Sequence, residues 1–259
     1  MKVEPQPLAQ VQVVGAGAGD HGQREWVAEE TPVALVYNGI SHAVMMATPV
    51  DLEDFALGFS LTEALIAHPD EMLDVEADST EEGISLQLRV TAACERRLKE
   101  RRRAMAGRTG CGLCGVDSLR EVRLSVSPVQ AVAVDTRAVC RAMAALPQAQ
   151  VLNARCGGLH AAAWCSADGS LLLVREDVGR HNALDKLAGA MSKAGTDPRE
   201  GFVAVSSRAS FEMVQKTLAM RASLIASVSA PTAMAIRMAR DHGLALVSFV
   251  RGERATRYA

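Results

Sequence analysis

Aromatic side chains are scarce in this sequence, at 3% of 259 residues, and neither sign of charge dominates. The 28 Lys and Arg residues and 30 Asp and Glu residues give a formal net charge of −2. Such a chain lacks the basic surface and the stacking platforms that nucleic-acid binding commonly uses. No apolar run approaches the roughly 18 residues of a membrane span. The composition therefore predicts a soluble globular protein with no nucleic-acid or membrane partner.

An export signal is also missing. The first ten residues carry an acid and two prolines, where a signal peptide needs a cationic start and an apolar run. We therefore expect a cytoplasmic protein, in which thiols stay reduced and the six cysteines form no disulfide framework. Only Cys111 and Cys114 are closely spaced, so metal, redox or nucleophilic chemistry is expected there.

Residues 1–25 contain the one glycine-rich tract, GAGAG at 15–19. A dinucleotide-binding loop needs G-x-G-x-x-G between a strand and a helix, and His21, Gly22 and Gln23 do not fit that spacing. The sequence therefore predicts a mobile tail over residues 1–25.

Residues 26–125 have the pattern of a small α+β unit. Asn38 and Gly39 between two β-prone runs predict a hairpin. Thr48, followed by proline and then acids, predicts a helix N-cap. Alternating apolar residues over 84–90 predict a half-buried strand.

The end of this unit differs in composition. Seven cations and two acids occupy residues 95–108, and four glycines surround the cysteine pair. A charge run alone predicts a solvated helical face. Because the glycines disfavour regular structure, residues 95–116 are predicted to form a basic arm and a cysteine loop.

Residues 126–259 alternate strand and helix patterns through three successive strand–helix–strand units, which predicts an α/β domain with a largely parallel sheet. In such a sheet, ligands bind beyond the carboxyl ends of the parallel strands. The predicted ends are polar, and their arginines and helix N-termini suit a phosphate or pyrophosphate. They lie at residues 175–177, 206–210, 229–232 and 249–254.

The cysteine pair itself admits three chemistries. A zinc site needs two further ligands, which Cys156 and His160 could supply, although a deaminase centre requires glutamate where Ala162 stands. A thioredoxin-like redox pair should begin a helix, which the glycines oppose. A sulfur-carrying nucleophile suits the loop, because nearby cations lower a thiol pKa from about 8.5.

Six segments resemble the FdhD family of sulfur carriers, accessory proteins required for formate dehydrogenase activity. They are distributed in one order from residue 38 to residue 236, and residues 175–189 are highly specific. The segments are NGISHAVMMATPVDLEDFALGF (38–59), GRTGCGLCGV (107–116), GGLHAAA (157–163), REDVGRHNALDKLAG (175–189), SSRASFEMVQK (206–216) and SAPTAMAI (229–236).

The resemblance implies a sulfurtransferase that takes sulfane sulfur from a cysteine desulfurase. The sulfur passes to the molybdenum bis(molybdopterin guanine dinucleotide) cofactor before that cofactor enters formate dehydrogenase. It also implies a homodimer in which residues 126–259 form a cytidine-deaminase-like three-layer domain that binds guanine nucleotide, with guanosine diphosphate (GDP) as a fragment of the cofactor.

The resemblance also implies roles for individual residues. Cys111 matches the persulfide-carrying cysteine and Cys114 its helper, and no residue is assigned to a metal. One matching run is similar to the family's cofactor-binding segment: Phe249, Val250, Arg251, Gly252, Glu253 and Arg254. Motif residues near the predicted sheet edge are further candidate cofactor contacts: His160, Asp177, His181, Ser207 and Arg208.

Two departures from the family's pattern lie near these positions. Ser207 stands where the family commonly has glycine, and Cys156 stands where it commonly has threonine. Two other functions stay open as alternatives: a chaperone that only holds the cofactor, and a zinc-dependent hydrolase of the deaminase type.

Overall fold

The structure is a computed structural model that describes residues 5–13, 23–106, 126–130 and 132–259. Its first two strands, β1 (Leu8–Val13) and β2 (Gln23–Ala28), form an antiparallel pair. The described part of the predicted tail thus contains a strand. The sequence did not predict this strand. Its backbone N–H and C=O groups find their hydrogen-bond partners in β2, and a local pattern does not record such pairing.

A four-stranded mixed sheet follows. Its strands are β3 (Thr31–Tyr37), β4 (Ile40–Ala47), β5 (Met72–Ser79) and β6 (Ile84–Val90), in the order β4-β3-β6-β5. The central pair β3–β6 is parallel and the outer pairs are antiparallel. The predicted hairpin is confirmed: Asn38 and Gly39 adopt φ of 45° and 78°, the left-handed values of a tight primed turn.

Helix α1 (Leu52–Thr62) covers this sheet, and helix α2 (Ala92–Ala106) follows β6. Phe55, Ala56 and Phe59 of α1 pack into the core of the sheet. The predicted N-cap was wrong, because α1 begins after Asp51. Thr48 instead makes contacts in another part of the fold, which are described with the site.

The second sheet has six strands: β7 (His160–Ser166), β8 (Leu171–Asp177), β9 (Gly201–Val205), β10 (Leu224–Ser227), β11 (Ala245–Arg251) and β12 (Arg254–Arg257). Their order is β12-β11-β10-β9-β7-β8. The sheet is more mixed than predicted, because β7 inserts between β8 and β9 and is antiparallel to both. Four strands, β8 to β11, still run in one direction, so their carboxyl ends share an edge.

Helices cover both faces of this sheet. Helix α3 (Thr136–Ala149) packs on one face, and a one-turn helix α4 (Asn153–Cys156) follows it. Helices α5 (Arg180–Lys193), α6 (Phe211–Ala219) and α7 (Ala233–Asp241) pack on the other. The result is an α/β domain of three layers. Within the described ranges, no helix has both the length and the apolar character to cross a bilayer.

Two glycines bring the two sheet units into close contact through α1 and α5. A Cβ atom on Gly58 would lie 1.7 Å from the carbonyl oxygen of Asp185, and one on Gly189 would lie 2.0 Å from that of Asp54. No other residue type fits this helix crossing without moving a backbone. Helix α1 on the four-stranded sheet therefore packs directly against helix α5 on the six-stranded sheet.

Candidate functional site

The amino end of β7 meets the carboxyl ends of β8 and β9 at the predicted sheet edge. His160 is the register partner of Asp177. On the other side of β7, the amide of Ala161 donates to Ser206 Oγ at 2.8 Å, and the amide of Ser206 donates to the carbonyl of Ala161 at 3.0 Å. The predicted segments 157–163, 175–189 and 206–216 thus meet at one place.

Asp177 lies inside this edge rather than on its surface. Its carboxylate is fully buried and accepts from the amides of Thr48 at 3.0 Å and Gly179 at 2.7 Å, and from Asn182 Nδ2 at 3.1 Å. Lys186 Nζ, also fully buried, forms an ion pair with it at 2.7 Å. All of these partners are protein groups. Asp177, a candidate cofactor contact from the sequence, therefore supports the edge instead of lining it.

Thr48 links this network to the first unit. Its hydroxyl accepts from the amide of Val178 at 3.0 Å, and its carbonyl accepts from Lys186 Nζ at 2.8 Å. Burial lowers the pKa of Lys186, and the carboxylate of Asp177 opposes that shift. The pairing with Asp177 compensates for the burial of the lysine's charge.

A second buried ion pair fixes α1, α5 and α6 together. Lys216 Nζ lies 2.9 Å from Asp185 Oδ1 and 2.6 Å from Glu63 Oε1. Thr62 Oγ1 donates to Asp185 at 2.5 Å. Burial lowers the pKa of Lys216, but Asp185 and Glu63 outweigh it and hold that pKa above its usual value. This buried ion pair therefore links the two sheet units.

Glu176 also has a structural role. Its carboxylate accepts from the amides of Leu152 and Asn153, at 2.9 and 2.8 Å, and so binds the free amides at the start of α4. Three acids and one asparagine of the motif 175–189 thus form hydrogen bonds with backbone or side-chain groups of the protein. They are Glu176, Asp177, Asp185 and Asn182.

Arg180 and His181 lie in the same motif and make different contacts. Arg180 Nε and His181 Nε2 are the buried side-chain polar atoms without a hydrogen-bond partner in the described part of the chain. Glu212 Oε2 lies 3.0 Å from His181 Nε2, which is an ion-pair distance, but the ring nitrogen does not meet hydrogen-bond geometry. That contact becomes an ion pair only when the imidazole is protonated.

Both histidines at this edge are biased toward the neutral form. Burial lowers the pKa of His160 and the charge of Arg180 lowers it further, while Asp177 raises it. Burial also lowers the pKa of His181, with Glu212 raising it and Arg180 and Lys216 lowering it. One guanidinium thus acts on two imidazoles.

Ser207 and Arg208 follow β9. Ser207 is buried, and its hydroxyl donates to the carbonyl of Arg208 at 3.0 Å. The side chain that replaces the family's glycine is thus held by the protein's own backbone. Arg208 is exposed at the edge, where it can reach a ligand.

The segment 249–254 lies farther along the same edge, beyond β10. Phe249 is 41% exposed, whereas Val250 is buried in the core, so the side chain of Val250 does not face a ligand. Arg251 and Arg254 are exposed register partners on either side of the β11–β12 turn. Gly252 and Glu253, within that turn, face helix α3 across a cavity of about 650 Å³. The cavity is also lined by Thr136, Arg137, Cys140, Arg141 and Ala144.

Cys111 and Cys114 lie outside the described residues, so the role of the cysteine loop stays a prediction. A zinc site built from them with Cys156 and His160 is untested for the same reason. Among the described thiols, burial raises the pKa of Cys165 to about 12. The pKa of Cys140 is also raised, mainly by burial and further by the charges of Glu253 and Asp135. A thiol with a raised pKa is a poor nucleophile at neutral pH, so neither competes with the predicted pair.

The family model of the FdhD/NarQ family matches residues 28–259. The chain belongs to this family. It is 57% identical over 231 residues to the sulfur carrier protein FdhD of Variovorax paradoxus, covering 89% of this chain and 83% of that protein. It is 54% identical over 252 residues to the sulfur carrier protein FdhD of Bordetella petrii, covering 97% of this chain and 91% of that one.

A solved structure shares the fold of this FdhD/NarQ member. It is a crystal structure of a protein from Desulfotalea psychrophila described as a formate dehydrogenase accessory protein. The TM-score is 0.73 over 97% of this chain and 95% of that chain, at 22% identity. The agreement extends over both sheet units.

Sequence reasoning missed the distinction between inward and outward residues of the motif. It grouped Asp177 with His181 as ligand contacts, although the first is fully buried and the second is partly exposed. The sequence around Thr48 predicted only a helix N-cap. No local pattern connects Thr48 with Asp177, to which its amide donates.

Proposed function

We propose that this protein is a sulfur carrier that supplies sulfur for formate dehydrogenase. The observation that carries the proposal is the 54–57% identity, over 89–97% of this chain, to proteins named sulfur carrier protein FdhD. The sequence adds a C-x-x-C pair within the family's motif, in a run of cations and glycines. This is a sulfurtransferase activity in which the carrier itself is the covalent intermediate.

In the first step, the thiolate of Cys111 attacks the terminal sulfur of a persulfide on a cysteine desulfurase. The S–S bond of the donor breaks, its cysteine leaves as a thiolate, and Cys111 becomes a persulfide. Cations near Cys111, such as Arg108 three residues earlier, favour the attacking thiolate.

In the second step, the thiolate of Cys114 attacks Cys111 Sγ and forms a disulfide. The terminal sulfur leaves as sulfide and passes to the molybdenum bis(molybdopterin guanine dinucleotide) cofactor, which is the substrate. The sulfane sulfur is reduced as the two cysteines are oxidised, so the electrons balance. A thiol reductant must then open the Cys111–Cys114 disulfide before the next cycle.

The acceptor is proposed to bind at the carboxyl edge of the six-stranded sheet, through its guanine nucleotide. Support comes from the convergence of strand ends, from the exposed Arg208, Arg251 and Arg254, and from the general preference of ligands for this edge. GDP is the corresponding fragment. The cytidine-deaminase-like assignment of this domain, the homodimer and the cytoplasmic location belong to the same proposal.

Intact-mass analysis after incubation with a cysteine desulfurase and cysteine tests the proposal. The protein should gain the mass of one sulfur atom, which a reductant removes, and the added sulfur should map to the peptide that contains Cys111. A Cys111→Ala variant should not gain it.

The matched control is Cys140→Ala, which removes a buried thiol and should leave labelling intact. Labelling of Cys111→Ala at the wild-type level would show that another thiol carries the sulfur, and the assignment would fail.

A further inference from the structure

Helix α2 is strongly basic in a chain that is close to neutral. Its 15 residues include six cations and two acids, whereas the whole chain has a net charge of −2. The rest of the chain therefore carries an excess of acids, and positive charge is concentrated in this one element. Such a local excess of one sign steers a partner of the opposite sign to that part of the surface.

One side of α2 is fixed to the first sheet unit. Cys94 is fully buried, and its thiol donates to the carbonyl of Leu65 at 3.3 Å. Leu98, one turn later, packs against the same core. Arg97 forms an ion pair with Glu71 at 2.6 Å. These contacts set the direction in which the helix leaves the unit.

The opposite side of α2 is exposed. Arg96 lies two residues from both Cys94 and Leu98, which places it on the far side of a helix with 3.6 residues per turn. It is exposed and forms no ion pair with any residue that the structure describes. Lys99 and Arg103 follow at spacings of three and seven residues, which are positions on the same side. We call these three positions the basic side of α2.

The place of α2 in the sequence indicates which partner meets its basic side. Cys111 comes five residues after Ala106, the last residue of the helix, and five residues of any conformation span at most about 17 Å. A protein seated on the end of α2 is therefore within reach of the predicted persulfide-carrying thiol. The nucleotide of the acceptor is proposed to bind at the six-stranded sheet of the other unit, which assigns α2 to the sulfur donor.

We propose that the basic side of α2 is the docking surface for the sulfur donor, a desulfurase that presents an acidic surface beside its persulfide. The inference rests on the proposed function and names the surface on which its first step takes place. Opposite charges at the edge of an interface act mainly on the rate of association, and salt screens them. Docking should therefore control how fast the carrier is loaded.

The test compares two sulfur donors by intact-mass analysis of the full chain. A bacterial cysteine desulfurase supplied with cysteine is the protein donor, and cysteine persulfide is a small donor without a protein surface. The test variant combines Arg96→Glu and Arg103→Glu. Lys99 stays unchanged, because it forms an ion pair with Glu95, which accepts from Asn38 Nδ2 at the base of the helix.

The test variant should lose loading from the protein donor alone. Its initial rate with the desulfurase should fall about tenfold or more at about 0.05 M salt. At about 0.5 M salt the loss should shrink to about threefold or less, because the Debye length becomes shorter than the distance between the two surfaces. The rate with cysteine persulfide should be unchanged.

The matched control combines Arg199→Glu and Arg237→Glu, which changes the net charge by the same amount on the six-stranded unit. Arg199 is exposed between α5 and β9, and Arg237 is exposed on α7. The control should load from both donors like wild type. Circular dichroism should show that all variants are folded, and the single variant Arg96→Glu should have an intermediate rate with the desulfurase.

Two kinetic results would overturn the docking surface. One is an equal rate of loading from the desulfurase in the folded test variant and the control. The other is an equal loss with both donors, since the cations would then act on the thiol pKa of Cys111 and not on a partner. Binding of a short single-stranded RNA that the test variant loses, with desulfurase loading unchanged, would assign the cations to nucleic acid instead.

A binding arm separates docking from sulfur transfer. Biolayer interferometry of the full chain against the desulfurase, without cysteine, should show a complex that the test variant weakens and the control does not. Absence of a complex with wild type, or equal affinity for the test variant, would reject the docking surface. Loading of wild type by neither donor would reject the carrier function, while the binding arm still decides on the docking surface.

Discussion

At the scale of single residues, the buried ion pair of Asp177 and Lys186 connects three parts of the fold. Both side chains are fully buried and lie 2.7 Å apart. Between them they connect β8, the start of α5 and Thr48 of the first unit. Their attraction offsets a large desolvation cost, so removal of one partner leaves a buried charge without compensation.

Replacement of either member should therefore be strongly destabilising. We expect Asp177→Asn and Lys186→Met each to lower the free energy of unfolding by about 3–5 kcal/mol, measured by urea denaturation. The double variant should lose much less than the sum, because it buries no unpaired charge.

Strict additivity of the two single effects would contradict this account. An effect below about 1 kcal/mol for each single variant, the usual value of an exposed pair, would contradict it as well.

At the scale of secondary-structure elements, the crossing of α1 and α5 determines how the two sheet units meet. Gly58 and Gly189 allow the helices to approach backbone to backbone. The buried pair of Lys216 and Asp185 then locks α6 against the same crossing. The candidate site depends on this contact, because the loop between β4 and α1 supplies Thr48 to Asp177.

Gly58→Ala should separate the two helices. Its Cβ would lie 1.7 Å from the Asp185 carbonyl oxygen and 2.6 Å from the Gly189 nitrogen, both backbone atoms that cannot move alone. Overpacking of this kind costs about 1–3 kcal/mol or more, and thermal unfolding monitored by circular dichroism would measure it.

Gly158→Ala is the matched control, since its Cβ would lie 3.7 Å from Ala28 Cβ and 4.0 Å from the carbonyl oxygen of Cys156, both ordinary contact distances. It should change the unfolding free energy by no more than about 0.5 kcal/mol. Equal stability of the two variants would show that the crossing tolerates a side chain.

At the scale of the whole molecule, we propose that the nucleotide site and the cysteine pair are separable parts. The described residues form buried core clusters in both sheet units, whereas Cys111 and Cys114 lie outside the described residues. A carrier needs both parts, whereas a chaperone that only holds the cofactor needs the first part alone.

We therefore expect a Cys111→Ala, Cys114→Ala double variant to fold normally and bind GDP with unchanged affinity. It should nevertheless fail to activate formate dehydrogenase in a strain that lacks the wild-type protein. The readouts are thermal unfolding, calorimetric titration and formate dehydrogenase activity in extracts. Full activation by the folded variant would eliminate the carrier function and leave the chaperone.

The elements that follow from local chemistry could be predicted from the sequence. The Asn38-Gly39 hairpin is a short-range feature and is confirmed. The three strand–helix–strand units were also confirmed, because apolar periodicity and turn residues record them directly. The insertion of β7 between β8 and β9 was not predicted, since strand order depends on pairing between distant segments.

The family could likewise be identified from motifs in the sequence alone, as could the edge of the sheet where those motifs meet. Which motif residues are enclosed by the protein and which are partly exposed was decided only by the tertiary structure. Asp177 is enclosed because Thr48, 129 residues earlier in the chain, donates to it. The buried Nε atom of Arg180, three residues later, has no hydrogen-bond partner among the described residues. Both are charged residues of one motif, and only the packing of distant elements supplies hydrogen-bond partners to the carboxylate of Asp177 and none to this atom of Arg180.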